Sequence, residues 1–298
     1  MLSILIPTYN YNVVPLVLEL QKQAESLGIV YEILVQDDVS QLFITENSKI
    51  NTFNNCIFSV NTQNLGRGKN INLLCTKSKY EYVLIMESDS LPENEFYLKN
   101  YIEILSKSTT IIFGGVKYPT ITPPKEKMLR WKYGINRETK SLNHRLKHPY
   151  DFVFTWNLLL RKGILLKNPF PEFINEYGYE DLIFNKNLRS NSVSISHIEN
   201  PLIHYNDELS IDFVKKSEKA VQTLYALINT KKIDYECARL TSTYLVLKKL
   251  HLIGLVGAIY LKTKQQLLNN LLSENPNLYV LDFYKLGYFC SISSSKNV

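Results

Sequence analysis

The sequence predicts an α/β fold, a mostly parallel sheet with helices on both faces, followed by a helical C-terminal extension. Three observations predict it. Short apolar runs rich in β-branched residues alternate with segments of helical periodicity from Leu2 to Gly115. Polar clusters follow three of those runs, near Thr8, at Asp37-Asp38 and at Glu87–Asp89. From Ile211 onward the apolar spacing is that of helices alone.

In order, Leu2–Ile6 reads as a buried strand that Pro7-Thr8-Tyr9-Asn10 breaks at once. A helix is expected from about Val13 to Leu27, with Leu16, Leu20, Ala24 and Leu27 on one face and Gly28 as its stop. Tyr31–Val35 and Cys56–Val60 are the next strands, and a helix to about Lys77 follows the second of them. Tyr82–Met86 is an apolar run of the kind that is covered on both faces of a parallel sheet. A helix from about Pro92 to Ser106 and a strand at Thr109–Phe113 complete the alternation. The second half breaks this rhythm. Lys117–Tyr133 reads as a long, partly mobile connection in which Trp131 and Tyr133 either stack on a ligand or pack under the loop. Strands are expected at Asp151–Leu160 and Ser194–Ile198, with a helix from Glu180 to about Arg189 between them.

Composition narrows the function classes. The chain of 298 residues is long enough for a sizeable core, and its net charge of +6 is mild and dispersed. That charge suits anionic ligands or an anionic membrane surface, while the lack of an arginine-rich block argues against nucleic acid as a partner. Cys56, Cys75, Cys237 and Cys290 form no CxxC pair, so neither a zinc knuckle nor a redox pair is expected. Met1–Asn10 lacks the basic leader of a signal peptide, and no apolar run reaches the ~20 residues that cross a bilayer, so the expected location is cytoplasmic.

In a parallel sheet the carboxyl ends of the strands share one edge, so the three polar clusters converge on a crevice where such sheets bind ligands. A dinucleotide site would need GxGxxG after the first strand, and a P-loop would need GxxxxGK[ST]; neither is present. Glu87 and Asp89 lie two apart, on one side of an extended backbone, and suit a hard divalent cation and through it a diphosphate. The alternative is a polar strand end leading into a helix capped by Ser90.

The stretches ILIPTYN (Ile4–Asn10), QDDVS (Gln36–Ser40), NLGRGKNINLL (Asn64–Leu74) and LIMESDSLPEN (Leu84–Asn94) resemble, in order and spacing, the inverting family 2 glycosyltransferases with a GT-A (Rossmann-like) fold. The resemblance implies a nucleotide-sugar donor, expected to be a UDP-sugar, a Mn2+ or Mg2+ cofactor, and a saccharide or glycolipid acceptor in surface polysaccharide synthesis. It implies donor contacts at Pro7, Thr8, Tyr9, Asp37, Asp38, Asn64, Gly66, Arg67, Glu87 and Ser88, with the acidic pair Asp37-Asp38 at the base and ribose. Asp89 and His204 would hold the metal with Glu87 in support, and EYGYEDLIF places Asp181 as general base beside Glu180. Trp156 and Asn157 fall where relatives face the donor sugar or acceptor. The departures are Glu87 where the family usually has Asp, Val39 where it usually has Gly, and Ile71 where it often has Arg, a charge that Arg67 or Lys69 could replace. A binding-only member of the family and a sugar-nucleotide pyrophosphorylase are the alternatives.

The expected division is 1–208 for the catalytic domain (1–107 nucleotide-binding, 108–208 acceptor and catalytic) and 209–298 for the extension. Within the extension, Ala238–Leu272 reads as one long helix. Its apolar centre Leu250–Leu261 is flanked by Lys248, Lys249, Lys262 and Lys264, which fits a peripheral membrane contact, packing on the catalytic domain, or a homo-oligomer contact. Tyr279–Phe289 is expected to dock back, and the tail from Ser291 to be disordered.

Overall fold

Residues 1–105, 111–151, 153–174 and 176–295 are described by the computed structural model. Its strands are β1 (Leu2–Thr8), β2 (Tyr31–Asp37), β3 (Cys56–Val60), β4 (Tyr82–Ile85), β5 (Ser90–Pro92), β6 (Ile111–Phe113), β7 (Val116–Lys117), β8 (Leu158–Arg161), β9 (Ile195–His197) and β10 (Leu202–His204). Its α-helices are α1 (Val14–Ser26), α2 (Ile44–Ser48), α3 (Arg67–Lys77), α4 (Tyr97–Leu105), α5 (Met128–Tyr133), α6 (Leu142–Lys147), α7 (Lys162–Lys167), α8 (Glu180–Ser190), α9 (Ser210–Asn229), α10 (Arg239–Lys249), α11 (Ile253–Leu271) and α12 (Leu278–Ser295).

Seven strands make the main sheet among the described residues, in the order β3-β2-β1-β4-β8-β6-β9. The first four are mutually parallel, as their continuous apolar runs require; β8 is antiparallel to both β4 and β6. A smaller sheet, β5-β10-β7, is antiparallel on one side of β10 and parallel on the other.

β1 does not stop at Pro7. Its odd residues face β4, since Leu5 O accepts from Met86 N, and its even residues face β2, since Thr8 O accepts from Asp38 N. Pro7 therefore faces the side where β4 has already ended at Ile85, and its missing N–H costs no ladder bond. Thr8 and Asp37 are register partners, so the ends of β1 and β2 do lie side by side. α1 stops at Gly28 as expected: with Gly28 at φ +60°, its N–H reaches Glu25 O and that of Ile29 reaches Ala24 O.

The chain forms two compact units. The first comprises Met1–Pro119, Arg137–Asn175 and Ile183–Asn206; the second comprises Thr120–Asn136, Glu176–Leu182 and Asp207–Val298. In the first, Leu5, Ile71, Ile85, Phe113, Leu158, Phe170 and Phe184 belong to one core between sheet and helices, with Phe170 and Phe184 stacked at 4.3 Å. In the second, Leu129, Val214, Tyr260, Leu281 and Tyr284 form another core.

Several expectations are corrected. Lys117–Tyr133 is not a loose connection: Pro123-Pro124 lead into a 3₁₀ turn at Lys125–Lys127 and then α5, which buries Leu129 and Arg130. Tyr133 packs on Phe213 at 5.2 Å, so it is a core ring. The strand expected at Asp151–Leu160 is only Leu158–Arg161, and Phe152 lies outside the described residues. The helix expected from Pro92 starts at Tyr97, because Ser90–Pro92 pairs with β10 instead; Ser106, Thr109 and Thr110 lie outside the described residues. The single helix expected over Ala238–Leu272 is two, bent by 118°. His251 at φ +57° ends α10, its N–H bonding Lys248 O while that of Leu252 bonds Leu247 O. α12 carries helix through Ser291 to Ser295; the last three residues of the expected tail lie outside the described ones.

Candidate active site

The ends of β1 and β2 are joined by short polar bonds. Asp37 is fully buried; its Oδ1 accepts from Ser40 N at 2.8 Å and its Oδ2 from the Ser40 hydroxyl at 2.5 Å. The Ser40 hydroxyl in turn accepts from Asn10 N at 2.7 Å, tying the first turn to the second. Asp38, 4% exposed, accepts at Oδ1 from Asn61 Nδ2 and Leu65 N, and at Oδ2 from Gly66 N, each at 2.8 Å. Asn64 Nδ2 donates to Asp38 O at 3.0 Å. Gly66 takes φ +79° at the start of α3, a backbone that an L side chain rarely adopts. The acidic pair thus organises the protein's own loops, with few lone pairs left over. Pro7 and Thr8 are buried, Thr8 presenting its backbone to Asp38, whereas Tyr9 is exposed.

At the end of β4, Glu87 turns to Arg67. Arg67 Nη2 and Nε lie 2.7 Å and 3.1 Å from Glu87 Oε2, and Arg67 Nη1 donates to Thr155 Oγ1 at 2.5 Å. Burial holds the Glu87 carboxyl above its ordinary value, the nearby Asp89 charge adds to this, and the Arg67 charge offsets only part of it. The extra methylene of Glu over Asp lets this carboxylate span to the first residue of α3. Ser88 is buried, and the Ser90 hydroxyl donates to Glu87 O at 2.7 Å, closing the turn.

Asp89 meets His204 because β5 pairs with β10. Ser90 and His204 are register partners, and Tyr205 N donates to Asp89 O at 2.8 Å. His204 Nε2 lies 2.9 Å from Asp89 Oδ1. The imidazole is buried, with Trp156 at 4.7 Å on one side and the edge-on Tyr118 ring at 5.3 Å. Tyr118 Oη is 2.9 Å from His204 Nδ1 and donates to Glu138. Among the described residues no cluster of three or more His, Cys, Asp or Glu side chains forms a closed metal cage. One carboxylate oxygen and one imidazole nitrogen side by side fit an open cation site, one in which diphosphate oxygens and water supply the other positions. Tyr118, Thr155 and Glu138 belong to no motif; their only signal is polarity beside strand ends that the sequence does not pair.

Asn157 is not a ligand-facing residue. It is fully buried at φ +75°, its Oδ1 accepting from Tyr97 and Tyr101 hydroxyls at 2.6 Å and its Nδ2 donating to Gly115 O and Asn200 O. Four satisfied bonds make it a structural node. Trp156, by contrast, lies against His204. Ile71, at the position where relatives often carry Arg, is fully buried in the core of the first unit.

Glu180 and Asp181 open α8 and belong to the second unit. Gly178 at φ +110° and Tyr179 at φ +72° make the turn before them, and Gly178 N donates to Glu180 Oε2 at 3.1 Å. Glu180 is therefore the capping carboxylate of the pair. Asp181, half-buried, stands one residue further into the first turn.

The sequence matches the model described as "Glycosyl transferase family 2" over residues 3–167. No curated protein matches it. Among solved structures the chain is similar to S. aureus TarS, at 21% identity and a TM-score of 0.49 over 76% of this chain and 40% of that one. It is also similar to S. aureus TarS 1–349 in complex with UDP-GlcNAc, at 18% identity and a TM-score of 0.48 over 99% of this chain and 92% of that one. The complex of the same fragment with UDP gives 16% identity and a TM-score of 0.46 over 100% and 92%. The chain thus spans 40% of the longer TarS structure.

Proposed function

The chain belongs to glycosyl transferase family 2 and is a glycosyltransferase of GT-A fold, and on that premise we propose that it moves a sugar, with inversion and in a metal-dependent way, from a UDP-sugar to a hydroxyl of a saccharide or lipid-linked acceptor in surface polysaccharide synthesis. The observation that carries the metal dependence is the Asp89–His204 pair at 2.9 Å beside the sheet edge where β1, β2 and β4 end. Asp89 Oδ1 and His204 Nε2 would hold Mn2+ or Mg2+. Bound there, the ion would offset the negative charge that develops on the departing diphosphate.

The chain's own residues do the rest. Asp37 and Asp38 hold the loops after β1, β2 and β3 in register, and these frame the nucleoside. Arg67, oriented by Glu87 and Thr155, places a guanidinium at the start of α3 within the same unit. Asp181 takes the proton from the acceptor hydroxyl as that oxygen bonds to the anomeric carbon; the bond from that carbon to the diphosphate oxygen breaks, and UDP leaves with the electron pair. The choice of UDP as the nucleotide, and of a hexosyl or N-acetylhexosaminyl group as the sugar moved, rests on family membership.

The acceptor side of the proposal draws on the second unit. Val246, Leu250, Leu255, Ile259 and Leu261 are exposed where α10 turns into α11, and exposed Lys248, Lys249 and Lys262 flank them. Lys264 turns inward to Glu218 at 2.9 Å. No single helix among the described residues is long and apolar enough to cross a membrane. An apolar corner with a basic rim matches an anionic lipid surface, on which a lipid-linked acceptor would be presented.

The direct test is release of UDP from a panel of UDP-sugars, UDP-GlcNAc among them, with Asp181→Asn as the comparison. Retained donor binding with turnover lowered at least 100-fold supports Asp181 as the base. Turnover unchanged in Asp181→Asn removes it, and donor binding without turnover by the wild type favours a binding-only role.

A further inference from the structure

We infer that Tyr118 and Glu138 are positioning residues for the cation, fixing the His204 ring in the tautomer whose Nε2 lone pair points at the Asp89 side. This rests on the metal reading of Asp89 and His204. A tyrosine hydroxyl has one hydrogen, and Tyr118 gives its own to the Glu138 carboxylate. Its oxygen then faces His204 Nδ1 at 2.9 Å as an acceptor, so Nδ1 carries the N–H. In a neutral imidazole the other nitrogen is then the lone-pair atom, and here it is the one 2.9 Å from Asp89 Oδ1. Two lone-pair atoms at that separation repel each other unless a proton or a metal cation shares them, so the relay presents a ligand pair that a divalent ion can occupy in place of a proton.

The backbone explains why the relay reaches His204 from the far side. β10 lies between β5 and β7, with Ser90 opposite His204 and Lys117 opposite Ile203. Asp89, just before β5, and Tyr118, just after β7, are thereby delivered to the two nitrogens of one ring. Trp156 and the Tyr118 ring pack the imidazole, which leaves it little freedom to turn over. Partners of this kind on the second nitrogen set both the orientation and the basicity of a ligating histidine.

The test is Mn2+ binding to the full chain in the presence of UDP, read from the electron paramagnetic resonance of the free ion, for wild type, His204→Ala, Tyr118→Phe and Glu138→Ala. Tyr118→Phe keeps the ring against His204 and removes the hydroxyl alone. It is expected to weaken Mn2+ by about 10- to 100-fold, with the ligand-free unfolding midpoint near that of wild type; Glu138→Ala gives the same reading should that variant fail to fold. Long-range 1H–15N correlation at a Mg2+ and UDP concentration that just saturates wild type should show the His204 proton held on Nδ1 there, and exchanging between both nitrogens in the fraction of Tyr118→Phe that this concentration leaves unloaded. If His204→Ala loses Mn2+ while Tyr118→Phe and Glu138→Ala bind it as wild type does, the positioning role is overturned and the metal site stands. If wild type binds no Mn2+, or His204→Ala binds it equally, the metal site itself falls and the positioning role with it.

Discussion

Val39 takes φ +66°, a left-handed backbone that costs a β-branched residue about 1–2 kcal/mol. The loop needs that turn because Asp37, just before it, accepts from Ser40, just after it, while Asp38 accepts from Leu65 and Gly66 in the loop that follows β3. This is the position where the resembled family usually has glycine, so the departure is a local strain that the surrounding bonds hold in place. Val39→Gly should stabilise the fold by about 1 kcal/mol after the entropy of glycine is counted, measured as a higher urea midpoint with unchanged slope. A second buried group gives a pH signature. Burial lowers the His197 imidazole below its ordinary value, its bond to Pro149 O works the other way, and the Arg145 charge lowers it again. Pro149 O at 2.9 Å accepts from Nε2–H, and Arg145 Nη1 faces Nδ1 at 3.5 Å, so the neutral ring is the one that fits. The unfolded chain takes up a proton near pH 6.5, where the folded chain resists it. The stability contributed by His197 is therefore full above about pH 6.5 and falls as pH drops below it. Urea midpoints at pH 7.5 and 5.5 should converge in His197→Gln relative to wild type.

At the scale of elements, α11 and α12 pack through glycine. A Cβ at Gly287 would stand 2.5 Å from Tyr260 Cβ, so Gly287→Ala should push the two helices apart at a cost of about 1–3 kcal/mol, seen as a lowered thermal midpoint. The parallel half of the sheet was legible in the sequence because each of its strands carries its own evidence: a short apolar run closed by polar residues, with a helix behind it. The strands that complete the site carry no such evidence. β5 is three residues, Ser90–Pro92, and becomes a strand only because β10 pairs with it. β7 is two residues, and β8 joins antiparallel where the βα rhythm has ended. For the same reason the sequence located Asp89 and His204 singly but gave no sign of Tyr118, Thr155 or Glu138, whose roles come from long-range pairing. The Ala238–Leu272 stretch misled because its apolar spacing continues across Leu250–Leu252; a histidine in the left-handed conformation is a weak stop signal beside glycine.

At the scale of the whole molecule, the proposed donor site lies on the α/β sheet of the first unit and the apolar, basic corner on helices of the second. The corner predicts that the 298-residue chain sediments with vesicles of phosphatidylglycerol but not of phosphatidylcholine, and that Leu255→Glu with Ile259→Glu releases it. Sedimentation equal for both lipids and both proteins, with dimers in solution that the double variant dissociates, would assign the corner to a second copy instead. If Asp89 anchors a cation that in turn holds the donor diphosphate, thermal unfolding will register it. A ligand that binds only the folded state adds about 2.7 kcal/mol at a hundred times its Kd, a shift of several degrees. Wild type and Asp89→Ala would be unfolded with UDP, with and without Mn2+. UDP and Mn2+ together should raise the wild-type midpoint well above either alone, and Asp89→Ala should lose this joint effect. A wild-type midpoint that UDP never moves, or an Asp89→Ala midpoint that rises with Mn2+ as wild type does, would contradict it.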